Sequence, residues 1–259
     1  MKISTKTFLI SGGSSGLGLS TTKLLLSLSA NIAILDLSPP PSDLLEHKGV
    51  KFWKTDVTNV DQIEKAVEES AKWAKESGKP IGGVICSAGV ATAAKIIDAH
   101  NNPHSLDLWN FAISVNLTGT FNLARLVIPH IISGSQPDED GERGIIIMVS
   151  SSAAFEGQTG QLAYSATKGA LSSMTLPMAR DLGRHGIRVV TIAPGVFASS
   201  MTDKFPPKTR GSLERELVFP KRFGKAEEFA QTVKWAIECS YVNGETVRLS
   251  GAGRLPGKM

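Results

Sequence analysis

Short apolar runs alternate with longer amphipathic stretches along the whole chain. Runs rich in β-branched residues predict strands, whereas apolar positions three or four residues apart predict helices. Strands are expected at Thr7–Ser11, Asn31–Asp36, Lys51–Thr55, Ile81–Cys86, Gly144–Ser150, Ile187–Ala193 and Glu245–Leu249. Helices are expected at Leu17–Ser29, Val60–Glu76, Leu106–Ile132, Gln161–Leu182 and Ala226–Glu238. The pattern therefore predicts an α/β protein in which strands and helices alternate.

This alternation predicts right-handed βαβ units and a doubly wound parallel sheet of about seven strands with helices on both faces. The run Ile145–Val149 is apolar throughout, as in a strand that is covered on both sides. No linker, repeat or low-complexity segment divides the chain, so residues 1–259 are expected to form a single domain. Two polar segments, Asn101–Pro103 and Ser133–Gly144, are expected to be surface loops.

The composition is that of a globular protein, with 259 residues of which 41% are hydrophobic and 20% charged. No uninterrupted apolar run approaches the ~18 residues of a membrane helix, so no membrane span is expected. The cysteines, Cys86 and Cys239, are too few for a disulfide framework. His100 and His104 have a ligand-like spacing, but no further ligand completes a set, so no metal site is expected.

The net charge of +4 and the pI near 9.0 raise the question of a nucleic-acid partner. The excess positive charge falls within residues 204–222, and the rest of the chain is balanced. The basic side chains of this window are Lys204, Lys208, Arg210, Arg215, Lys221 and Arg222. A solvated loop with surplus cations explains such a window, and no nucleic-acid partner is expected.

A glycine-rich turn follows the first predicted strand, since residues 11–18 read SGGSSGLG and lead directly into the first helix. Glycines permit a tight turn, and backbone N–H groups at a helix N-terminus favour the pyrophosphate of a dinucleotide. Asp36 ends the second strand, where a carboxylate accepts hydrogen bonds from an adenosine ribose. Asp36 would repel a 2′-phosphate, and residues 12–18 and 37–42 contain no Lys or Arg, so the site is expected to prefer NAD to NADP.

Tyr164 and Lys168 are spaced to lie on one face of the predicted helix Gln161–Leu182. An ammonium beside a phenol lowers the phenol's pKa from about 10, and the phenol can then exchange a proton with an alcohol or a carbonyl. The serines at 150–152 stand at the end of the fifth strand, at the sheet edge where parallel sheets bind ligands. A serine hydroxyl there would hydrogen-bond a developing alkoxide. The Tyr-Lys spacing alone is common on helix surfaces, so the combination carries the prediction.

Taken together, these segments resemble the short-chain dehydrogenase/reductase family from one end of the chain to the other. The matching features are the SGGSSGLG turn, Asp56-Val57, Cys86-Ser87-Ala88-Gly89, Asn116 in VNLTGTF, Ser151, Tyr164, Lys168 and the IAPG segment Ile192–Gly195. Residues 136–144, 154–171, 174–197 and 243–255 further resemble the type-2 3-hydroxyacyl-CoA dehydrogenases of this family, also called hydroxysteroid dehydrogenase type 10. The resemblance implies a single-domain Rossmann fold whose substrate lid lies at about residues 196–222.

The resemblance also implies the roles of individual residues. Tyr164 would be the acid/base and Ser151 would orient the reacting oxygen. Lys168 would bind the nicotinamide ribose and lower the pKa of Tyr164, and Asn116 would hold a water for proton relay. The implied substrate contacts are Ser151, Gln158 and Tyr164. The implied NAD contacts are Gly12, Ser15, Gly16, Leu17, Gly18, Asp36, Asp56, Val57, Ser87, Ala88, Gly89, Tyr164, Lys168, Pro194, Gly195, Phe197 and Ser199.

Some positions depart from the family's common motifs. The motif NNAG reads Cys86-Ser87-Ala88-Gly89 here, so any role of an asparagine side chain at 86 is lost. The common DGG near the C-terminus reads Ser250-Gly251-Ala252. Ser199 stands where a threonine is usual, and it keeps the hydroxyl.

The implied activity is hydride transfer between a secondary alcohol or ketone and NAD. The favoured pair is (S)-3-hydroxyacyl-CoA and 3-oxoacyl-CoA, in fatty-acid or branched-chain acyl-CoA oxidation. In that case the basic window lies in the lid, where some of Lys204, Lys208, Arg210 and Arg215 would bind CoA phosphates. One alternative is a reductase of 3-oxoacyl-carrier-protein, steroids or other ketones, because these enzymes differ mainly in the lid. Another is a nucleotide-binding scaffold or assembly factor.

The resemblance further implies a homotetramer, because the family usually dimerises on the helices predicted at Leu106–Ile132 and Gln161–Leu182. The sequence shows no evident presequence, so a cytoplasmic location is expected. The mitochondrial matrix and the peroxisome are the alternatives, the latter because Gly257-Lys258-Met259 loosely resembles a peroxisomal tripeptide.

Overall fold

In the computed structural model, which describes residues 1–198, 202, 207–254 and 257, seven parallel strands form one sheet. They are β1 (Thr7–Ser11), β2 (Asn31–Asp36), β3 (Val50–Lys54), β4 (Ile81–Cys86), β5 (Gly144–Val149), β6 (Ile187–Pro194) and β7 (Thr246–Leu249). Their order across the sheet is β3-β2-β1-β4-β5-β6-β7. Because β1 lies between β2 and β4, the chain winds outward in both directions from the centre. The predicted doubly wound fold is confirmed.

Helices cover both faces of this sheet. They are α1 (Gly16–Ser27), α2 (Ser42–Leu45), α3 (Val60–Glu76), α4 (Leu106–Ala112), α5 (Thr120–Gly134), α6 (Leu162–Leu182), α7 (Pro207–Arg215) and α8 (Ala226–Glu238). A π-helical segment, Ile113–Gly119, joins α4 to α5, and a 3-10 turn, Ser152–Ala154, follows β5. Helices α3, α5 and α6 pack on one face of the sheet, and α1 and α8 pack on the other.

Successive side chains of a strand point into two separate cores. In β1, Leu9 packs with Ile63 of α3 and Leu123 of α5. Its neighbour Ile10 packs on the opposite face with Leu25 of α1. Each of these side chains is buried, and burial of a side chain of this size stabilises a fold by about 1.5–3 kcal/mol. Inner strands such as β5 are almost entirely apolar because both of their faces are covered, whereas the edge strands β3 and β7 are only partly buried.

The predicted strands and helices are confirmed, and most of their ends agree with the structure to within one or two residues. The prediction missed α2 and α7, and the helix predicted at Leu106–Ile132 contains the π-helical segment and ends at Gly134. The segment Ser133–Gly144 is a surface loop only in part. Glu142 within it is buried and pairs with Arg188 of β6, because the loop folds back over the end of that strand.

The combined helix Leu106–Gly134 is long and apolar enough to cross a membrane, by length and composition alone. Polar residues such as Asn116 and Arg125 interrupt its apolar runs, so a search for uninterrupted apolar runs does not detect it. About 44% of its most apolar window is buried inside the fold, where Leu123, Val127 and Ile131 face the sheet. A core helix passes the same test, so the helix is weak evidence for a membrane span.

Candidate active site

A cavity of about 650 Å³ opens at the carboxyl ends of the strands. Parallel α/β sheets bind ligands at this edge, where the strand order reverses. The cavity is lined by the predicted residues Gly12, Ser15, Gly16, Leu17, Gly18, Asp36, Asp56, Val57, Ser87, Ala88, Gly89, Ser151, Gln158, Tyr164, Lys168, Pro194, Gly195 and Phe197. Asn116 lies behind the wall and is fully buried. Ser199 lies outside the described residues.

The glycine-rich turn lies against the ends of β1 and β4. A Cβ on Gly18 would lie 2.1 Å from the carbonyl oxygen of Gly12, so the start of α1 packs directly on the turn. Gly12 has φ +66°, and a Cβ there would lie 2.9 Å from the backbone of Ala88. By contrast, no atom lies within 4 Å of a Cβ placed on Gly16. The turn is therefore packed tightly on the protein side and open on the cavity side.

Asp36 holds the turn from the end of β2. Its carboxylate accepts hydrogen bonds from the backbone N–H of Ser14 at 3.1 Å and of Ser38 at 3.2 Å. The Ser14 hydroxyl is buried and has no hydrogen-bond partner among the described residues. An acceptor carboxylate, an unpartnered hydroxyl and a helix N-terminus beside open space form a donor and acceptor set that fits the ribose and pyrophosphate of a dinucleotide.

Tyr164 and Ser151 meet at the cavity wall. Ser151 follows β5 and hydrogen-bonds the phenol of Tyr164, which α6 presents. The Ser151 Oγ also accepts from the backbone N–H of Ala153 at 3.1 Å, so the 3-10 turn fixes its orientation. Burial raises the pKa of Tyr164, and the hydrogen bond with Ser151 lowers it in part. The sequence predicted a lowered pKa, and that prediction is wrong for the protein alone, because desolvation of the phenolate dominates.

Lys168 shares a helix face with Tyr164, and its ammonium lies 5.7 Å from the centroid of the Tyr164 ring. The Nζ donates a hydrogen bond to the carbonyl oxygen of Val149 at 2.8 Å. Burial lowers the pKa of Lys168 to about 8. The pKa of Lys168 therefore lies close to neutral pH, and its side chain lies beside the phenol of Tyr164.

Asn116 ties the turn after β4 to the catalytic face of α6. Its Oδ1 accepts from the Val90 N–H at 2.8 Å, and its Nδ2 donates to the Val90 carbonyl at 2.9 Å and to Thr167 at 3.2 Å. Thr167 in turn donates to the carbonyl oxygen of Tyr164 at 2.7 Å. Asn116 lies in the π-helical segment, a deviation that is frequent at functional sites. Its proposed hold on a water stays a prediction.

Other lining residues were not singled out from the sequence. They include Val90, Phe111, Ser114, Gln161, Thr202 and Leu213. The side chain of Gln161 accepts a hydrogen bond from the backbone N–H of Gln158 at 3.0 Å. This hydrogen bond fixes the turn that carries Gln158. Phe111 and Ser114 lie in the same continuous helical stretch as Asn116, and this membership, rather than their spacings of five and two residues, is the signal that could have suggested them. Val90 had no such sequence signal.

The basic window is partly neutralised by the fold. Arg210 pairs with Glu214 at 3.2 Å and stacks on Phe223, and Arg222 pairs with Glu228 at 2.7 Å. Lys204 lies outside the described residues. Each pair is more than a third exposed, so solvent screens the interaction and each pair contributes little to stability. Within the described residues, no cluster of His, Cys, Asp and Glu could hold a metal ion.

A model of the short chain dehydrogenase family matches residues 6–210. The chain belongs to this family. It is 43% identical to a 3-hydroxyacyl-CoA dehydrogenase type-2 of Rattus norvegicus over 95% of this chain and 94% of the rat protein. It is 32% identical to a 3-oxoacyl-[acyl-carrier-protein] reductase of Thermotoga maritima over 97% of this chain and 98% of that protein. A crystal structure of a 3-hydroxyacyl-CoA dehydrogenase type-2 from Mycobacterium avium superimposes with a TM-score of 0.90, at 31% identity and 98% coverage of both chains.

These similarities confirm the family resemblance that the sequence motifs indicated, including its type-2 3-hydroxyacyl-CoA dehydrogenase branch. This short-chain dehydrogenase is therefore an oxidoreductase that uses a nicotinamide cofactor. The cavity at the carboxyl ends of the strands, with its glycine-rich turn and its Ser151–Tyr164 pair, is its candidate active site.

Proposed function

We propose that this dehydrogenase oxidises (S)-3-hydroxyacyl-CoA to 3-oxoacyl-CoA with NAD. The observation that carries the proposal is the hydrogen-bonded pair of Ser151 and Tyr164 in the wall of a cavity whose other end fits a dinucleotide. A phenol beside a serine hydroxyl provides a proton acceptor and a donor for one substrate oxygen. The relatives named for this activity cover nearly the whole chain and support the choice of substrate.

In the proposed reaction, bound NAD supplies the hydride acceptor. Tyr164 takes the proton of the substrate hydroxyl, and Ser151 hydrogen-bonds the same oxygen and orients it. Because burial raises the pKa of Tyr164, the phenolate needs a positive charge nearby. Lys168 supplies that charge from the next turn of α6. The buried setting strengthens the interaction, since water does not screen it.

The preference for NAD follows from Asp36. Its carboxylate faces the cavity and would repel a 2′-phosphate, and the glycine-rich turn supplies no cation to compensate. Lys51 and Lys54 of β3 are exposed, and neither lines the cavity. We propose that Asp36 hydrogen-bonds the ribose diol of NAD.

The experiment is a substrate panel with NAD⁺ and NADP⁺, in which 3-hydroxyacyl-CoA, a 3-hydroxyacyl-carrier-protein and a hydroxysteroid are compared by kcat/KM. We expect the highest value with 3-hydroxyacyl-CoA and NAD⁺, and less than about a tenth of it with NADP⁺. Tyr164→Phe should abolish turnover and leave NADH binding nearly unchanged, because it removes one hydroxyl from the chemistry.

Several results of this panel would overturn the proposal. Equal efficiency with NADP⁺ would remove the assigned role of Asp36. A higher kcat/KM for the carrier-protein substrate would favour the reductase alternative. If Tyr164→Phe kept its turnover, the acid/base assignment would be wrong. If it lost turnover but kept its cellular function, a scaffold role would be favoured.

A further inference from the structure

The serines at 150–152 have different partners in the fold, although the sequence alone does not distinguish them. Ser151 hydrogen-bonds Tyr164, and Ser152 begins the 3-10 turn. Ser150 points to α6 instead, where its hydroxyl donates to the carbonyl oxygen of Lys168 at 2.6 Å. Ser150 is 2% exposed, so this hydrogen bond is shielded from water. Without this partner the buried hydroxyl would be unpaired, which costs free energy. The Ser150 side chain is therefore held in one orientation.

Ser150 is itself held in place by the sheet. Its backbone N–H donates to the carbonyl oxygen of Ile192 in β6 at 2.8 Å. Its hydroxyl also lies 3.0 Å from the hydroxyl of Ser172, which donates to the same Lys168 carbonyl at 3.3 Å. One residue therefore joins the end of β5, the neighbouring strand β6 and a turn of α6.

Three consecutive residues at the end of β5 form hydrogen bonds with Lys168 or Tyr164. The Val149 carbonyl accepts from the Lys168 ammonium, and Ser150 holds the carbonyl of the same lysine. Ser151 then bonds the hydroxyl of Tyr164. Lys168 is thus fixed to one strand end through both its main chain and its side chain. A displacement of about 1 Å at such a site can cost about 100-fold in rate.

We propose that Ser150 is a positioning residue of this dehydrogenase, which holds the Lys168 carbonyl and thereby fixes the turn of α6 that presents Tyr164 and Lys168 to the cavity. It acts through these two residues and takes no part in proton transfer itself. The kinetic part of its test rests on the proposed function, whereas the spectroscopic part depends on the protein alone.

The kinetic test compares Ser150→Ala with Thr175→Val. Thr175 makes the same kind of link two turns further along α6, because its hydroxyl lies 2.6 Å from that of Thr191 in β6. Both variants lose a buried hydroxyl bridge between α6 and the sheet. We expect Ser150→Ala to lower kcat on the order of tenfold with little change in KM, because the geometry of the reacting groups is needed most in the transition state. Thr175→Val should lower the melting temperature and keep kcat within about twofold.

The spectroscopic test follows ionisation of Tyr164 by its tyrosinate absorbance. The chain has two tyrosines, and Tyr164→Phe isolates the signal of Tyr241, which is fully exposed. The Ser151 hydrogen bond lowers the pKa of Tyr164, so a loosened turn in Ser150→Ala should raise the midpoint. Cys86 of β4 also faces Lys168, but burial raises the pKa of this thiol to about 12, and cysteine thiolate can be followed separately.

A Tyr164 midpoint in Ser150→Ala that coincides with the wild-type value would overturn the proposal, and so would equal kcat losses in Ser150→Ala and Thr175→Val. A raised midpoint in Ser150→Ala with an unchanged one in Thr175→Val would support it. If the wild-type protein oxidised no substrate of the panel, the proposed function would fail, while the titration would still decide the role of Ser150.

Discussion

Burial of the Lys168 ammonium lowers the free energy of unfolding by an amount that depends on pH. Its pKa is lowered by burial to about 8 in the folded protein, against 10.5 for an unburied lysine. Below pH 8 the side chain is protonated in both the folded and the unfolded state, and the folded state bears the full cost of a buried ammonium. Between pH 8 and 10.5 the unfolded state binds more protons than the folded state, so the free energy of unfolding rises with pH.

Lys168→Met removes this cost, and we expect its advantage in stability over the wild-type protein to be largest below pH 8. The advantage should shrink by about 3 kcal/mol by pH 10.5. Urea unfolding of both proteins at pH 7 and pH 10 measures the difference. An advantage that stayed constant across this range would show that the amine is not desolvated in the folded state.

Ala252 has φ +57°, a left-handed conformation in which an L side chain is strained. It stands where the common family motif has a glycine, and it is exposed. Ala252→Gly should stabilise the protein by about 0.5–1 kcal/mol, because relief of strain exceeds the entropy that glycine adds to the unfolded chain. Differential scanning calorimetry should show a melting temperature about 2 °C higher.

Ala71→Gly is the matched control for this change. Ala71 lies inside α3, where a glycine costs about 1 kcal/mol, so the melting temperature should fall. A fall in both variants would show that the left-handed conformation at position 252 carries no strain.

At the residue scale, strand ends and a shared helix face pointed to Asp36, the serines after β5 and the pair of Tyr164 and Lys168, and the family resemblance supplied most of the other predicted residues of the cavity wall. The partner of the Lys168 ammonium could not be found in this way. It is the main-chain carbonyl of Val149, and a carbonyl leaves no mark in a sequence. The raised pKa of Tyr164 was missed for a related reason, since desolvation depends on all the atoms around the phenol.

In the turn between β1 and α1, Gly18 lies so close to Gly12 that position 18 has no room for a side chain. A Cβ on Gly18 would lie 2.1 Å from the carbonyl oxygen of Gly12, so Gly18→Ala must displace the start of α1. Gly16 is different, because a Cβ there meets no atom within 4 Å and only its φ of +51° is unfavourable. We expect Gly16→Ala to cost about 1–2 kcal/mol of stability and Gly18→Ala to cost more.

Thermal unfolding of the protein without cofactor measures both changes, since it reports the turn and not its ligand. Gly18→Ala should melt at the lower temperature of the two. Equal melting temperatures would mean that the turn relaxes around the added methyl group.

At the element scale, strands and long helices were predictable because both faces of the sheet need apolar side chains at regular intervals, as Leu9 and Ile10 illustrate. Helix α7 was missed because it is dominated by polar residues, and Leu213 is the one buried residue among those of its side chains that the structure describes. The π-helical segment Ile113–Gly119 was missed because its sequence has the same apolar spacing as the helices on either side.

The fold as a whole is closed at the amino ends of the strands by a buried ion pair. Glu142 precedes β5 and pairs with Arg188 of β6 at 2.7 Å, and both side chains are more than nine-tenths buried. Arg188 also donates to the carbonyl oxygens of Ala236, Ile237 and Val242, at and beyond the end of α8. One guanidinium therefore joins a loop, a strand and a helix.

Glu142→Ala leaves this guanidinium buried without its carboxylate, and we expect a loss of about 3–5 kcal/mol. The control is Glu139→Gln, an exposed residue in the same loop, which should change stability by less than about 0.5 kcal/mol. Urea unfolding provides the comparison. Similar midpoints for the two variants would show that the carbonyl oxygens alone satisfy Arg188.

The strand order also has a consequence for how the chain folds during synthesis. The strand β1 lies inside the sheet between β2 and β4, and β4 begins at Ile81, 70 residues after Ser11 ends β1. In a nascent chain β1 can pair with β2, and β2 with β3, as these strands emerge, but the other edge of β1 stays open until β4 follows. Contacts of such long sequence separation form slowly, and an open apolar edge invites pairing with other chains. In a growing polypeptide the glycine-rich turn of the candidate active site is therefore synthesised well before the segment from Ser87 to Gly89, against which it packs.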